Sequence, residues 1–155
     1  MIARLTGTLA LKTTSQLIID VGGVGYQVLA PLSTFYQLPE TGHKVELIVH
    51  THVSDSAIQL YGFLTDNEKS LFTLLLGVSG IGPKLALNVL SGIEAPDLVR
   101  ALASGDHPRI QAVPGVGKKT AQRMVVELKE KAALLGWAGP DLEEPLPEGE
   151  RKTAA

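Results

Sequence analysis

The sequence has no cysteine, one tryptophan among only 5% aromatic residues, and no apolar run of membrane-spanning length. Each absence closes a class of function. Without thiols there are no disulfides, iron–sulfur clusters, thiolate zinc sites or thiol nucleophiles. A membrane helix needs about 18 consecutive apolar residues. The opening Met1-Ile2-Ala3-Arg4-Leu5 also lacks the apolar core and cleavage site of a signal peptide. The reading is a soluble, cytoplasmic protein with no membrane partner. Scarce aromatics argue against a single-strand-binding groove, in which bases stack on exposed rings. Tyr26, Tyr61 and Phe63 fall in strand-like segments, where core packing is the expected role.

A strong excess of positive charge is missing too: the net charge is −2. Its distribution matters more than its sum. Met1–Phe63 carries 3 basic and 4 acidic residues, Leu64–Trp137 carries 9 and 7, and Ala138–Ala155 carries 2 and 5. An acidic tail hides a mildly basic middle, so the whole-chain charge does not exclude a nucleic-acid partner.

Three segments follow. Leu17–Val21, Gly25–Leu29, Val45–Val53 and Ile58–Phe63 are short and rich in β-branched residues, divided by Gly22-Gly23, by Pro31 through Pro39 and by Thr41-Gly42. So many short strands in residues 1–63 suit a small closed barrel of the OB type, because closure removes edges that a small domain cannot cover. At Thr65-Asp66-Asn67-Glu68 a capping-box pattern starts helical periodicity. Leu71, Leu74, Leu75 and Val78 open an apolar stripe that Leu85, Val89, Leu90, Leu98, Leu102, Met124, Val125 and Leu128 continue. Residues 64–137 therefore read as an all-α domain, making the fold α+β with two domains. Residues 138–155, proline-rich and acidic, read as a flexible linker.

The helical segment contains a repeat. Val78-Ser79-Gly80-Ile81-Gly82-Pro83-Lys84-Leu85-Ala86 aligns with Val113-Pro114-Gly115-Val116-Gly117-Lys118-Lys119-Thr120-Ala121 at a constant offset of 35 residues. A Gly-aliphatic-Gly turn between helices permits conformations closed to other residues and brings backbone close to a ligand. The aliphatic residue plugs inward, while N–H groups at the start of the second helix point outward, where the helix dipole favours an anion. A phosphate fits there. The expected DNA-binding residues are Ser79, Gly80, Gly82 and Lys84 in the first hairpin, and Gly115, Gly117, Lys118, Lys119, Thr120 and Arg123 in the second. Pro83 stands where the second copy has Lys118, removing a charge and an N–H, so the second clamp is expected to be the stronger. Amides and lysines aimed at phosphate carry no base information, so binding should be independent of sequence.

Other readings of the same residues are weaker. Lys119 could serve as the attacking lysine of a helix-hairpin-helix glycosylase, but no aspartate in an apolar setting follows, Asp141 lying in the acidic tail. His50 and His52 share one strand face, but neither they nor His43 and His107 find a third ligand in the sequence, and no carboxylates are paired for catalysis. No catalytic residue, metal or cofactor is expected.

The same motifs identify a family. The chain resembles RuvA, the Holliday-junction-binding subunit of the bacterial branch-migration complex. The resemblance rests on Met1-Ile2 with Leu5 and Gly7, Val21-Gly22-Gly23-Val24-Gly25-Tyr26, Phe35-Tyr36-Gln37-Leu38-Pro39, Leu60-Tyr61-Gly62-Phe63 and the two glycine hairpins. It implies an OB barrel followed by a tandem helix-hairpin-helix domain. It further implies a homotetramer, or two tetramers on DNA, holding a four-way junction open and planar for recombination, repair and the SOS damage response. The implied role is a non-catalytic subunit of an ATP-driven helicase complex, with a RuvB ATPase motor and a RuvC resolvase as partners. In the family an acidic pin between the last barrel strands keeps crossing strands apart; here Ser54-Asp55-Ser56 offers Asp55 alone. Family members continue into a third, motor-binding domain, so the chain reads as truncated, with junction binding expected and motor docking not.

Overall fold

The computed structural model describes residues 1–135, so the acidic segment from 138 lies outside the described residues. Five strands, β1 (Arg4–Lys12), β2 (Leu17–Val21), β3 (Val24–Leu29), β4 (Lys44–Val53) and β5 (Ile58–Phe63), form a closed barrel in the order β1-β2-β3-β5-β4. All pairings are antiparallel except β3 with β5, and β1 closes the ring against β4. This is a five-stranded Greek-key barrel of the OB type. Alternation along the strands fills its interior with Leu9, Ile19, Val28, Leu47 and Val49, all fully buried.

The segment from Pro31 to Pro39, read above as a separator, contains a short helix, α1 (Leu32–Gln37). The prolines mark its edges. Pro31 is its N-cap, with φ −63° and extended ψ, and Leu38 ends it in extended conformation before Pro39. Thr34 on this helix is fully buried and donates to the Glu68 carboxylate at 3.5 Å.

The helical half comprises α2 (Asp66–Leu76), α3 (Pro83–Gly92), α4 (Ala95–Ser104), α5 (His107–Gln111) and α6 (Lys118–Leu134). Thr65 caps α2 as its sequence predicts: its hydroxyl accepts from the Glu68 amide at 3.2 Å and donates to the Glu68 carboxylate at 3.0 Å. Asp106 caps α5 by accepting from the Arg109 amide at 3.3 Å. Asp97 on α4 accepts from Arg100 and pairs with Arg109 on α5 at 3.4 Å. The hydrogen bond from Arg100, before the charge of either arginine, holds the Asp97 carboxyl below the usual carboxylate range.

Barrel and helices share a core boundary. β5 loses strand alternation at its end because both of its faces are covered. Leu60 belongs to the barrel core, whereas Tyr61 and Phe63 pack their rings 5.1 and 5.0 Å from Phe72 of α2. The Leu32 amide donates to the Ser91 hydroxyl of α3 at 3.0 Å, tying α1 to the helical half.

Candidate nucleic-acid interface

The two hairpins superpose in their bonding. In the first, the Val78 amide donates to Leu75, Ile81 to Val78 and Ala86 to Gly82, at 3.1, 3.1 and 3.0 Å. In the second, Val113 donates to Ile110, Val116 to Val113 and Ala121 to Gly117, at the same three distances. Val78, Ile81 and Ala86 are buried in one core with Val113, Val116 and Ala121. The aliphatic plug is thus used identically in both copies, and α4 and α5 carry the chain from one to the other.

The two glycines of each hairpin do different work, which refines the sequence expectation. Gly80 and Gly115 have φ of +89° and +91°, a region L side chains rarely enter. Gly82 and Gly117 have φ of −92° and −82° with extended ψ, which any residue adopts. They are the N-caps of α3 and α6, and a Cβ on either would meet nothing within 4 Å. Their role is therefore not conformational. Neither makes a side-chain cap, and among the described residues no acceptor is found for the first amides of each helix. At α6 these are the amides of Lys118, Lys119 and Thr120. At α3 Pro83 has none, leaving Lys84 and Leu85.

The remaining expected residues distribute as follows. Lys84, Lys118 and Lys119 are exposed at their helix starts, and Ser79 is exposed on the first turn. Thr120 is half-buried, at the place Leu85 occupies in the first copy. Arg123 is exposed, but it does not stay with its own hairpin: its guanidinium donates to the Ser79 carbonyl of the first hairpin at 3.1 Å. Asn88, which the sequence reading passed over, sits at the matching place on α3. A Cβ on Gly115 would lie 3.9 Å from the Asn88 amide nitrogen, and one on Gly80 3.5 Å from the Arg123 guanidinium. Each loop therefore lies against the second helix of the other hairpin, an approximate two-fold relation. Extending the repeat two residues beyond Ala86 and Ala121 pairs Asn88 with Arg123, so the signal was present.

Asp55 is not part of this assembly. It is exposed on the β4–β5 turn, closed by the Ser54 amide donating to the Ala57 carbonyl at 2.9 Å. Below the turn, Val53 and Ile58 pair across the strands and are 68% and 72% exposed.

His50 and His52 share a face of β4 as expected, but they turn toward aromatic rings. His50 packs on Phe72 at 5.5 Å and His52 on Tyr61 at 6.4 Å. Burial, then the nearby His52 and Lys69 charges, lowers the His50 pKa below its usual 6.5. Among the described residues no three His, Cys, Asp or Glu side chains gather as a metal site, and no helix is long and apolar enough to cross a membrane.

Comparison with known proteins agrees with this geometry. Residues 1–62 match the family model described as the RuvA N terminal domain, and residues 72–130 match the SAM-like helix-hairpin-helix tandem. The chain is 60% identical over 131 residues to the Holliday junction branch migration complex subunit RuvA of Syntrophotalea carbinolica, covering 84% of this chain and 66% of that protein. It is 55% identical over 140 residues to the protein of the same name from Geobacter sp. (strain M21), covering 90% and 70%. With that of Geobacter sulfurreducens it shares 49% identity over 154 residues, covering 99% and 77%. The chain spans about two thirds of the length of the first of these relatives. On a barrel and a hairpin tandem that both match, and at this identity, the chain belongs to the RuvA family.

Proposed function

We propose that the chain is the junction-binding subunit of a branch-migration complex, gripping the phosphates of four-way DNA through its two hairpins without reading base sequence. The observation that carries this is the repeated N-terminal anion site: two helices of one core, α3 and α6, each begin at a glycine N-cap with uncapped amides and an exposed lysine, Lys84 or Lys119. Free amides and a lysine at a helix start bind phosphate. Two such sites in approximate two-fold relation suit the two antiparallel backbones of a duplex.

Residues 64–137 form the DNA-gripping unit in this reading, and residues 1–63 form the barrel that carries Asp55. Selectivity for a junction comes from assembly: a homotetramer presents four hairpin pairs to four arms and four Asp55 carboxylates to the crossover, where negative charge repels phosphates. A RuvB ATPase is the proposed motor partner of the full-length protein, through its third domain, and a RuvC resolvase is a further proposed partner on the junction. The subunit contributes binding and shape, and the motor supplies the chemistry.

Competition among four-way, linear duplex and single-stranded DNA of one sequence, with sedimentation of free and bound protein, tests this. The expected result is preference for the four-way form by a tetramer. Preference for single strands would place binding on the barrel, and a monomer at saturation would remove the geometric basis for junction selectivity.

A further inference from the structure

The sequence assigns Arg123 to the second hairpin, whose helix carries it. We infer that Arg123 instead serves the first clamp, supplying from α6 the second cation that Pro83 denies to α3. This rests on the reading of the hairpins as phosphate clamps and says how their charges are shared.

The first clamp is short of groups. Pro83 at the start of α3 contributes neither the ammonium nor the amide that Lys118 contributes at the start of α6. Without help the first hairpin would hold a phosphate with Lys84 and two amides, against Lys118, Lys119 and three amides in the second. Arg123 lies where the deficit is. Its guanidinium donates to the Ser79 carbonyl across 44 positions of sequence and would stand 3.5 Å from a Cβ on Gly80. It is thus docked on the left-handed residue of the first turn.

A guanidinium has five N–H donors in a fixed planar fork. One bond to a carbonyl anchors that plane and leaves donors for a phosphate oxygen at the same loop. Arg123 is exposed on α6. No carboxylate pairs with it in an ion pair of the described residues.

The matching position carries no cation. Asn88 of α3 lies against Gly115 as Arg123 lies against Gly80, but it is neutral, and the clamp it faces already has two lysines. Each clamp then holds two cations, Lys84 with Arg123 and Lys118 with Lys119. The clamps become balanced in charge although the two sequences are not. Gly80 is glycine for its φ of +89°, and the guanidinium would meet a Cβ there only at ordinary contact distance, 3.5 Å.

The test is a pair of double-mutant cycles on the full chain binding a four-way junction, with phosphate-ethylation interference on the same variants. Arg123→Gln should weaken binding several-fold and lower the salt slope by about 0.9 for each phosphate released. Its effect should be non-additive with Lys84→Ala and additive with Lys119→Ala. The interference pattern should change at the phosphates affected by Lys84→Ala and not at those affected by Lys119→Ala. Arg123→Lys should restore the salt slope but not the full affinity, since a single ammonium cannot hold the carbonyl and the phosphate together.

Coupling to Lys119 instead of Lys84, or additivity with Lys84, would overturn the assignment. An Arg123→Gln variant with reduced affinity but an unchanged salt slope would also overturn it, leaving Arg123 as a loop brace alone. If neither Lys84→Ala nor Lys119→Ala weakens binding, the clamp reading itself fails, and this inference with it. Thermal melting of each variant separates these outcomes from loss of fold, and Arg123→Lys carries the test if Arg123→Gln does not fold.

Discussion

The two hairpins have one backbone and two chemistries. Their turn hydrogen bonds agree to the first decimal of an ångström, their plugs are equally buried, and their first glycines share one left-handed conformation. Their helix starts differ, with proline then lysine in one and two lysines in the other. The shared part is local: a positive-φ glycine, an aliphatic plug and an uncapped helix start recur wherever those residues recur. The divergent part is what can touch a ligand, and there a side chain from elsewhere in the fold fills the gap.

Breaking the shared backbone should have the largest effect. Gly115→Val places a β-branched residue at φ +91°, a strain costing about 1–3 kcal/mol of folding stability. It should also misdirect the amides of α6. Chemical denaturation and junction affinity should both fall, and Gly80→Val should behave alike because its φ is nearly the same.

Removing charge comes next. Lys118→Ala or Lys119→Ala should leave the melting temperature nearly unchanged, since both side chains are exposed. Affinity should drop by a similar factor for every DNA sequence, with a salt slope smaller by about 0.9 per lost phosphate contact. An unchanged slope would mean that neither lysine meets a phosphate.

The second glycine separates folding from binding. Gly117→Ser introduces a hydroxyl able to accept from the amides at the start of α6, raising stability by a few tenths of a kcal/mol. Those are the amides assigned to phosphate, so junction affinity should fall while the melting temperature rises. If both rise together, the phosphate does not sit at the helix start.

The smallest effect lies away from both hairpins, where the barrel meets α2. The His50 pKa is lowered in the folded protein, chiefly by burial, from 6.5. Its contribution to stability is then fully present above that value and is lost as pH falls below it, because the unfolded chain takes the proton more readily. His50→Gln should flatten the pH dependence of the melting temperature as pH falls below the usual histidine value of 6.5, without changing the affinity ratio of the Lys84→Ala and Lys119→Ala variants. A changed ratio would couple this interface to the clamps.

Much of the molecule was legible because its signals are local. β2 and β5 begin and end with the β-branched and aromatic runs Leu17–Val21 and Ile58–Phe63, and the Thr65 cap starts α2 where the capping pattern stands. α1 was not legible as a helix. Its six residues make fewer than two turns, too few for an apolar period to show, and the flanking prolines resemble loop punctuation. The fully buried Thr34 and the bond from Leu32 to Ser91 help hold it, and both depend on distant chain.

The sequence by itself determined that there are two Gly-aliphatic-Gly turns, where they lie and which lysines stand beside them, since glycine conformation and helix starts are set within a few residues. Only the tertiary structure decided which hairpin the Arg123 guanidinium meets. Arg123 reaches Ser79 because the core packs the second helix of one hairpin against the loop of the other, and no pattern within one hairpin encodes which neighbour a long side chain will meet.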